Sequence, residues 1–371
     1  MSALGFHALE QPGMVEGAFD LNRTQKLIDA MANKGLEAAW ILSPENFRYL
    51  TGFAGEGSLF VAKDGPVILT DFRYIEQAAR ESPGIPVVRT SGDLKVEDAL
   101  KALIGERLLK TVAIERNLVT LDQFDKLPKG VDYPALSSLP EKMRRVKDET
   151  ELTAIRKASK IACQAFEEML GVIRAGMTEK EIVIELNNHM LRLGSDKEAF
   201  STIACAGVNG SLPHAVPSEH VLENGELLTM DFGAQVDGYK TDMTRTVAIG
   251  KVSEELQKVY EAVLTAQRMA LDAIHAGASC REVDKTARDY LDARYPGAFG
   301  HGLGHSVGLF IHEQPQFSTR SEDALEAGNV MTVEPGVYLP GVGGCRIEDS
   351  VIITRDGYEN LITAPKHLIV L

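Results

Sequence analysis

Cysteine is scarce in this sequence: among 371 residues the cysteines are Cys163, Cys205, Cys280 and Cys345. They are scattered, without a CxxC pair or a regular framework spacing. Disulfide-stapled domains and zinc knuckles depend on such spacings, so both classes are excluded. We expect four reduced thiols that pack as small core residues in a cytoplasmic protein.

Positive charge and long apolar runs are scarce as well. Lysine and arginine number 39 against 53 aspartates and glutamates, which gives a formal net charge of −14 at pH 7. Such an acidic chain is poorly suited to a nucleic-acid backbone or an anionic membrane surface. No stretch approaches the roughly 18 apolar residues of a membrane-spanning helix, and residues 1–7 lack the basic head and apolar core of a signal peptide. These absences predict a cytoplasmic protein without nucleic-acid or membrane partners.

The first part of the chain alternates helical and strand-like patterns. Helical apolar spacing covers residues 21–34, 74–81 and 94–104. Strand-like runs cover residues 38–42, 58–63, 66–70, 86–89 and 111–115. Strands that alternate with helices predict a small α/β domain over residues 1–140. The sequence indicates no role for residues 1–18.

The predicted domain boundary lies near Pro140, in a segment of residues 137–147 that carries a cluster of basic residues. A nucleic-acid patch is one interpretation of this cluster. In so acidic a chain, however, a solvated hinge or the salt-bridged start of a helix is favoured. A long helical pattern follows over residues 148–174 and opens a second domain, residues 141–371.

One stretch of this second domain occurs twice. Residues 222–233, LENGELLTMDFG, return about a hundred positions later as residues 325–336, LEAGNVMTVEPG. Leu, Glu, Gly, Thr and Gly recur in place, and each apolar run contains one acid, Asp231 or Glu334. A long repeat that occurs twice is not a solenoid. It predicts one domain of two pseudo-symmetric halves.

Each repeated strand is followed by a second acid in a second strand-like run, Asp242 in the first copy and Glu348 in the second. Most acids lie in solvent, and exposed strand ends are the alternative interpretation. An acid inside an apolar run is nevertheless costly to bury unless it is paired or holds a metal. Four clustered acids would raise one another's pKa, whereas two divalent cations would balance their charge. The duplication therefore predicts a dinuclear metal centre at the join of the halves.

The helical segments of the two halves also correspond. Residues 173–181, IRAGMTEKE, are repeated in similar form as residues 274–282, IHAGASCRE. In each copy we expect one helix to end at the glycine. A Thr or Ser followed three residues later by Glu predicts a capping box that begins the next helix.

Histidines lie between the second helix pair and the second strand pair. His301 and His305 are four residues apart, but the glycines around them oppose a helix and favour an extended or looped backbone close to a site. We expect one of the two imidazoles to be a metal ligand; the alternative is that both hydrogen-bond within the core. His312 begins an HExxH-like string that fails, because the fifth position is Gln and a proline precedes it. His214 lies in a Gly/Asn/Pro-rich loop, where substrate contacts tend to lie.

These stretches resemble the metallopeptidases with the pita-bread fold, a family that includes aminopeptidase P, prolidase and methionine aminopeptidase. The motifs occur in family order: PH at 213, DFG at 231, TDMTRT at 241, HGLGH at 301, HEQP at 312, VEPGVY at 333 and GCRIED at 344. The resemblance implies an α+β architecture, with a pita-bread catalytic domain of two pseudo-symmetric halves after a smaller α/β creatinase-type N-terminal domain. It implies five metal ligands: Asp231, Asp242, His305, Glu334 and Glu348.

The same resemblance implies substrate-binding or proton-transfer roles for His214, His301 and His312, and a substrate-side role for Arg346. Glu334 is in addition the expected proton acceptor of catalysis. The implied cofactors are two divalent metal ions per chain, with manganese favoured and cobalt, zinc or iron possible.

The N-terminal motifs NFRYLTGF at 46 and DFRY at 71 resemble the extra domain of the proline-specific members. In that family this domain helps to form oligomers and shapes the rim of the active site, so a homodimer is expected. The implied activity is that of an Xaa-Pro aminopeptidase, which removes a residue that precedes proline from a peptide. The alternatives are an Xaa-Pro dipeptidase (prolidase), with a dipeptide as substrate, and a non-catalytic binding protein on the same fold.

Overall fold

The computed structural model describes residues 21–371, so residues 1–18, for which the sequence indicates no role, lie outside the described part. The chain folds into two compact units: the first ends at Arg144, and the second runs from Arg145 to Leu371. Within the described residues, no helix combines the length and the apolar character that crossing a membrane requires.

The N-terminal unit is an α/β domain, as its alternating patterns predict. Its strands are β1 (Ala38–Ile41), β2 (Ser58–Ala62), β3 (Gly65–Asp71), β4 (Val87–Thr90) and β5 (Val112–Ile114). Its helices are α1 (Leu21–Ala32), α2 (Pro44–Thr51), α3 (Ile75–Glu81), α4 (Val96–Glu106), α5 (Leu121–Lys126) and α6 (Leu139–Met143). The apolar patterns do not predict α2, α5 or α6, which have eight, six and five residues; α5 and α6 are too short to show a clear period.

The strands of this unit form one mixed sheet in the order β4-β3-β2-β1-β5. β1 pairs antiparallel with β2 and parallel with β5. Every residue of β1 and β2 is buried, and Trp40, Phe60 and Leu69 pack in one core with Leu100 of α4. Burial on both faces of the sheet explains why these strands are continuous apolar runs and do not alternate.

The basic segment at the boundary is paired inside each unit. In the first unit, Asn46 donates a hydrogen bond of 2.6 Å to Glu115 and accepts one of 2.6 Å from Arg144. Arg144 is buried, so the prediction of a solvated hinge is wrong at this residue. In the second unit, Arg145 forms an ion pair of 2.8 Å with Asp323. The alternative prediction, a salt-bridged start to the next helix, is confirmed there.

The second unit contains two helix pairs, two larger antiparallel sheets and two sheets of two strands each. The helices are α7 (Glu149–Met169), α8 (Glu179–Arg192), α9 (Glu254–Asp272) and α10 (Cys280–Asp292). The strands of the first half are β6 (Ile203–Ala206), β7 (Glu226–Phe232), β8 (Gln235–Val236), β9 (Tyr239–Lys240) and β10 (Met243–Ile249). Those of the second half are β11 (Gly304–Ser306), β12 (Glu313–Phe317), β13 (Val330–Val333), β14 (Gly336–Leu339), β15 (Gly343–Arg346), β16 (Asp349–Ile353) and β17 (Tyr358–Asn360).

Each half has its own sheet and its own apolar core. The first sheet has the order β10-β7-β6, and the second has the order β12-β11-β13-β16-β17. In the first core, Phe166 of α7 and Leu186 of α8 pack with Met230 of β7. In the second core, Val263 of α9 packs with Val333 of β13. Two helices on one sheet therefore form the repeated unit.

The repeated sequence forms repeated structure. Leu222 and Leu325 each donate a backbone hydrogen bond, of 2.8 and 2.9 Å, to the residue that precedes the N-cap of α8 or α10. Gly225 and Gly328 both have positive φ, 103° and 91°, and donate to the last residue of β10 or β16. The two strand pairs, β7 with β10 and β13 with β16, are both antiparallel. The predicted pseudo-symmetry of two halves is confirmed.

β6 and β11 occupy equivalent places in the two halves. The last residue of β6 lies opposite Leu228 in β7, and the last residue of β11 lies opposite Met331 in β13. Leu228 and Met331 are partners in the sequence repeat. The preceding residues are Cys205 and His305, so the first half has a buried cysteine where the second half has a histidine.

The predicted helix ends are wrong in both halves. Gly176 and Gly277 do adopt a left-handed backbone, with φ of 93° and 90°. However, α7 already ends at Met169 and α9 at Asp272. The chain leaves each helix through an intervening turn, and each glycine N–H donates to the carbonyl of the repeated leucine, at 3.0 and 2.8 Å. These glycines therefore join the helix pair to the strand pair.

The predicted capping boxes are confirmed in one copy and wrong in the other. Thr178 accepts from the N–H of Glu181, whose side chain accepts from Thr178 in return. Ser279 makes no side-chain cap bond, although Glu282 stands at the right spacing. The spacing of Ser279 and Glu282 is therefore not sufficient for a capping box.

Candidate metal centre

Acids from both halves converge where the two strand pairs meet. Asp231 lies on β7, and Asp242 precedes β10. Glu348 precedes β16, and its N–H donates at 3.1 Å to the carbonyl of Thr244 in β10. One oxygen from each of Asp231, Asp242 and Glu348 lies within 4.8 Å of the others. Direct contact between the halves thus brings their acids together.

Three oxygens of this cluster are buried without a hydrogen-bond partner among the described residues: Asp231 Oδ1, Asp242 Oδ1 and Glu348 Oε1. Leaving a buried polar atom unsatisfied costs about 1–3 kcal/mol. Divalent cations would satisfy all three, because carboxylate oxygens are common ligands of magnesium, manganese, iron and zinc. The donor set therefore fits a metal site.

The acids also repel one another. Burial and, after it, the charge of Glu348 raise the pKa of Asp242 well above its usual range. Burial and then the charge of Glu334 do the same to the pKa of Glu348. Burial raises the pKa of Glu334 to about 8, against the opposing effect of Arg346. The carboxyls retain protons unless nearby positive charge replaces them, so metal binding would release protons.

His305 presents a nitrogen to the acids. Its Nε2 lies 3.4 Å from Glu334 Oε1 and 3.7 Å from Asp242 Oδ2. Its Nδ1 lies 3.2 Å from the carbonyl oxygen of Ser306, and we assign the proton to Nδ1 on that contact. Burial lowers the pKa of His305 to about 4, so the ring is neutral at pH 7 and Nε2 carries a free lone pair. A neutral imidazole that a carbonyl orients is the usual form of a histidine metal ligand.

The backbone next to His305 approaches β13 closely. A Cβ at Gly304 would lie 2.1 Å from the carbonyl oxygen of Thr332, so the position requires glycine. Thr332 Oγ1 accepts from the N–H of His305 at 3.0 Å and donates to Glu334 Oε1 at 3.2 Å. One threonine thus links the histidine to the acid, and the expected close approach of a glycine backbone is found at Gly304.

Arg346 is buried and is bonded to protein acceptors on several sides. Its guanidinium donates to Asp231 Oδ2, to the hydroxyl of Tyr338 at 2.8 Å and to Thr244 Oγ1 at 3.1 Å. It also donates to the carbonyl of Pro213 at 3.2 Å. Only 4% of the residue is exposed, and its bond to Asp231 holds that carboxylate in place.

Tyr338 links Arg346 to His301. Its hydroxyl lies 3.0 Å from His301 Nε2, while His301 Nδ1 lies 2.8 Å from the carbonyl of Gly302. Burial raises the pKa of Tyr338 to about 12 and lowers that of His301 to about 4, so both side chains are neutral at pH 7. The sequence analysis assigns Tyr338 no role. A buried tyrosine hydroxyl needs a partner, but only the structure identifies that partner.

A cavity of about 310 Å³ opens onto the cluster. Of the predicted site residues, all except the buried Glu348 line it: His214, Asp231, Asp242, His301, His305, His312, Glu334 and Arg346. His214 and His312 are exposed to the cavity, and the ring of His312 stands edge-on to that of His305, with 4.5 Å between centroids. Phe200, Ile203 and Ile311 add apolar wall. The cavity can therefore take a small ligand with polar and apolar parts.

Two family models match this chain. The model of metallopeptidase family M24 matches residues 153–355. The model of the creatinase/prolidase N-terminal domain matches residues 23–146. The matched segments correspond to the second and first compact units.

Several known proteins are similar over nearly the whole chain. An Xaa-Pro dipeptidase of Pyrococcus horikoshii is 33% identical over 94% of this chain and 98% of its own. The solved structure of an Xaa-Pro dipeptidase from Bacillus anthracis is 36% identical, with a TM-score of 0.90 over 94% of this chain and 99% of that one. The structure of an X-Pro aminopeptidase from Thermotoga maritima is 35% identical, with a TM-score of 0.86 over 94% and 100%. Similar proteins thus include both a dipeptidase and an aminopeptidase.

Proposed function

The chain belongs to the proline-specific branch of metallopeptidase family M24, with a pita-bread catalytic domain after a creatinase-type N-terminal domain, and we propose that it is a dinuclear metal-dependent Xaa-Pro aminopeptidase. One observation carries the proposal: unpartnered buried oxygens of Asp231, Asp242 and Glu348 converge beside a cavity. Burying carboxylate oxygens without hydrogen-bond partners costs free energy, so the stability of the fold alone does not explain the arrangement.

The proposed ligands of two divalent cations are Asp231, Asp242, His305, Glu334 and Glu348. Four carboxylates balance the charge of two divalent ions, which supports two ions over one. When bound, these ions would supply Lewis-acid polarisation of the scissile carbonyl and would lower the pKa of an attacking water.

The chain itself must move a proton and stabilise a developing charge. Glu334 is the proposed proton acceptor: it takes a proton from the attacking water and passes it to the proline nitrogen as the C–N bond breaks. His214 and His312 line the cavity, and neither imidazole hydrogen-bonds another described residue, which supports donation to the carbonyl oxygen. Asp231, held by Arg346, is proposed to receive the α-amino group of the substrate.

His301 and the apolar wall are proposed to shape the pocket. Both ring nitrogens of His301 are in contact with protein atoms, which supports a positioning role for this histidine over proton transfer. Proline has no amide N–H after the scissile bond, so its ring must be recognised by shape. Phe200, Ile203 and Ile311 offer the apolar surface for that recognition.

We propose an aminopeptidase because a dipeptidase must also bind the free carboxylate of its substrate. Among the described residues that line the cavity, Arg346 is the one arginine or lysine. Its bonds to Asp231, Tyr338, Thr244 and Pro213 engage it within the protein, which supports a substrate whose proline carboxyl lies in a further peptide bond. The alternative is an Xaa-Pro dipeptidase, the activity named for the P. horikoshii and B. anthracis proteins.

Hydrolysis of Ala-Pro-Ala and Ala-Pro by the metal-loaded protein tests the proposal. We expect alanine release from the tripeptide with a kcat/KM at least about tenfold higher than from the dipeptide. Ala-Ala-Ala is the control for the proline requirement. Hydrolysis of Ala-Pro alone would replace the aminopeptidase by the dipeptidase. Full metal content with no hydrolysis of either peptide would favour a non-catalytic binding protein.

The remaining expectations concern the ion, the assembly and the location. Manganese is the proposed ion because the donor set is rich in oxygen with one nitrogen; elemental analysis should give two ions per chain. The N-terminal domain, residues 1–140, is proposed to support a homodimer and the rim of the site, which light scattering tests for the full chain. Four buried free cysteines support a cytoplasmic location.

A further inference from the structure

A buried lysine lies outside the cavity, next to strand β11, which carries His305, and to the first residue of strand β12, which follows His312. The side chain of Lys147, in the segment before α7, is 1% exposed. Its Nζ donates to Ser306 Oγ at 2.9 Å, to Glu313 Oε2 at 3.2 Å and to the carbonyl of Arg145 at 3.3 Å. An ammonium group has three N–H donors, enough to bond each of these three acceptors.

Two of these acceptors are the chain neighbours of site histidines. Ser306 follows His305, Glu313 follows His312, and Ser306 pairs with Glu313 across the β11–β12 ladder. The carbonyl of Ser306 is also the acceptor that orients the His305 ring. One ammonium group thus bonds the side chains that follow both histidines in the sequence.

Glu313 in addition fixes the turn that leads to His312. Its Oε1 accepts from the N–H of Phe310 at 3.1 Å, while its Oε2 faces Lys147. A Cβ at Gly308 would lie 2.8 Å from this carboxylate, so the turn wraps tightly around it. The position of the carboxylate therefore sets the path of residues 308–312.

Stability alone does not account for this arrangement. A buried ion pair gains little over apolar residues of similar volume, because desolvation offsets the attraction. Lys147 and Glu313 are both buried, with 1% and 5% of their side chains exposed. An apolar pair could fill the same space, but it could not make directed bonds to Ser306 and to the turn.

We propose that Lys147 is a positioning residue: through Ser306 and Glu313 it sets the separation and orientation of His305 and His312, and thereby the turnover of the enzyme. This inference rests on the proposed peptidase function for its effect on catalysis. Its structural part, the placement of two imidazoles, does not depend on that function.

The double variant Lys147→Met/Glu313→Gln tests the proposal without leaving a buried charge unpaired. It keeps the volume of both side chains and removes the bond to Ser306. At equal metal content we expect kcat to fall about ten- to a hundredfold, the range for groups that orient a metal ligand, with a much smaller change in KM. A wild-type kcat in the folded, metal-loaded variant would overturn the proposal.

Carbon–proton NMR spectra of the histidine rings in the metal-free protein give a readout besides activity. We expect the Cε1–Hε1 signals of His305 and His312 to shift in the double variant, while those of His189 and His275, outside this network, stay in place. Unshifted signals of His305 and His312 would refute the inference even if activity fell. If the wild-type protein cleaves neither test peptide, the proposed function fails, but these spectra still decide the role of Lys147.

Two further variants separate a positioning role of Lys147 from a general loss of folding stability. Val263→Ala removes buried volume in α9, in the core of the second half, and should lower Tm while kcat stays within about twofold of wild type. A fall in kcat equal to that of the double variant would overturn the proposal. If the double variant does not fold, Ser306→Ala removes a single bond of Lys147 and should lower kcat about three- to tenfold. An unchanged kcat in Ser306→Ala would then count against it.

Discussion

The Nε2 atom of His305 lies 3.4 Å from Oε1 of Glu334, and both residues come from the second half of the catalytic unit. With Glu348, that half supplies three of the five proposed ligands, while the first half supplies Asp231 and Asp242. The strands that carry the site are duplicated, but the ligand set is not symmetric. The four predictions that follow concern this arrangement.

Replacement of Asp242 by Asn should reduce bound metal and activity together. The substitution removes a buried carboxyl whose pKa is raised by burial and then by the charges of Glu348 and Asp231, so the metal-free fold should be retained. We expect kcat/KM to fall more than about a hundredfold and the metal content to drop below two ions per chain. Elemental analysis and circular dichroism check this. Full activity at normal metal content would contradict the ligand assignment.

Replacement of His312 by Ala should lower turnover without removing metal. His312 faces the cavity, and its ring approaches that of His305 with 4.5 Å between centroids. Loss of a hydrogen-bond donor to the developing oxyanion costs about a hundredfold in kcat. Steady-state kinetics and elemental analysis on the same preparation separate the two effects. If metal is lost with activity, His312 is a ligand and the assignment changes.

The metal-free protein should lose stability as the pH rises from about 6.5 to 8. Glu334 has its pKa raised from 4.5 to about 8, so the folded state binds protons in this range that the unfolded state has released. Stability falls with pH wherever the folded state holds more protons; Glu334 alone contributes about 2 kcal/mol here, and the raised pKa values of Asp242 and Glu348 act in the same direction. Below pH 6.5 the lowered pKa values of His301 and His305 act in the opposite direction, which is why the range starts there.

Urea unfolding of chelated protein at several pH values measures this slope, and metal-saturated protein is the control. In the saturated protein the cations replace the protons, so its slope should be much smaller. A chelated protein whose stability is flat or rises over this range would show that the acids are ionised without metal.

Replacement of Gly304 by Ala should destabilise the catalytic unit by about 2 kcal/mol or more, because the added Cβ would lie 2.1 Å from the carbonyl of Thr332. The strands β11 and β13 would have to separate, which would also displace His305. Gly300→Ala is the matched control, since a Cβ there meets no atom within 4 Å, and its effect should stay within about 0.5 kcal/mol. Equal unfolding free energies for the two variants would contradict the close approach.

The duplicated strands could be predicted because the two copies share residue types in the same order, which shows which positions are equivalent. The repeated residues align Asp231 with Glu334 from the sequence alone. An acid within an apolar run indicates a functional site, because burying an unpaired carboxylate costs free energy. The alternating patterns of the first 140 residues likewise predict an α/β unit, because buried strands and amphipathic helices have different periods. In the described part of this unit, α2, α5 and α6 were not predicted from the patterns.

The supporting residues could not be predicted, because their roles depend on contacts between distant parts of the chain. Lys147 meets Glu313 across 166 positions, and Arg346 meets Asp231 across 115. In the sequence Lys147 belongs to a basic cluster that suggests a solvated surface. Nothing local distinguishes a lysine that will be buried from one that will face water, since the neighbours that bury it are remote.

The equivalence of Cys205 and His305 has a consequence for the ancestry of the catalytic unit. Two separate, identical half-chains associated about a twofold axis would carry the same residue at both equivalent positions. Such an ancestor could have two histidines there or none, but never one histidine and one cysteine. Only a single chain that contains both halves lets the two positions differ, as the one nitrogen donor of the proposed metal site requires, and here they hold a buried thiol and a histidine.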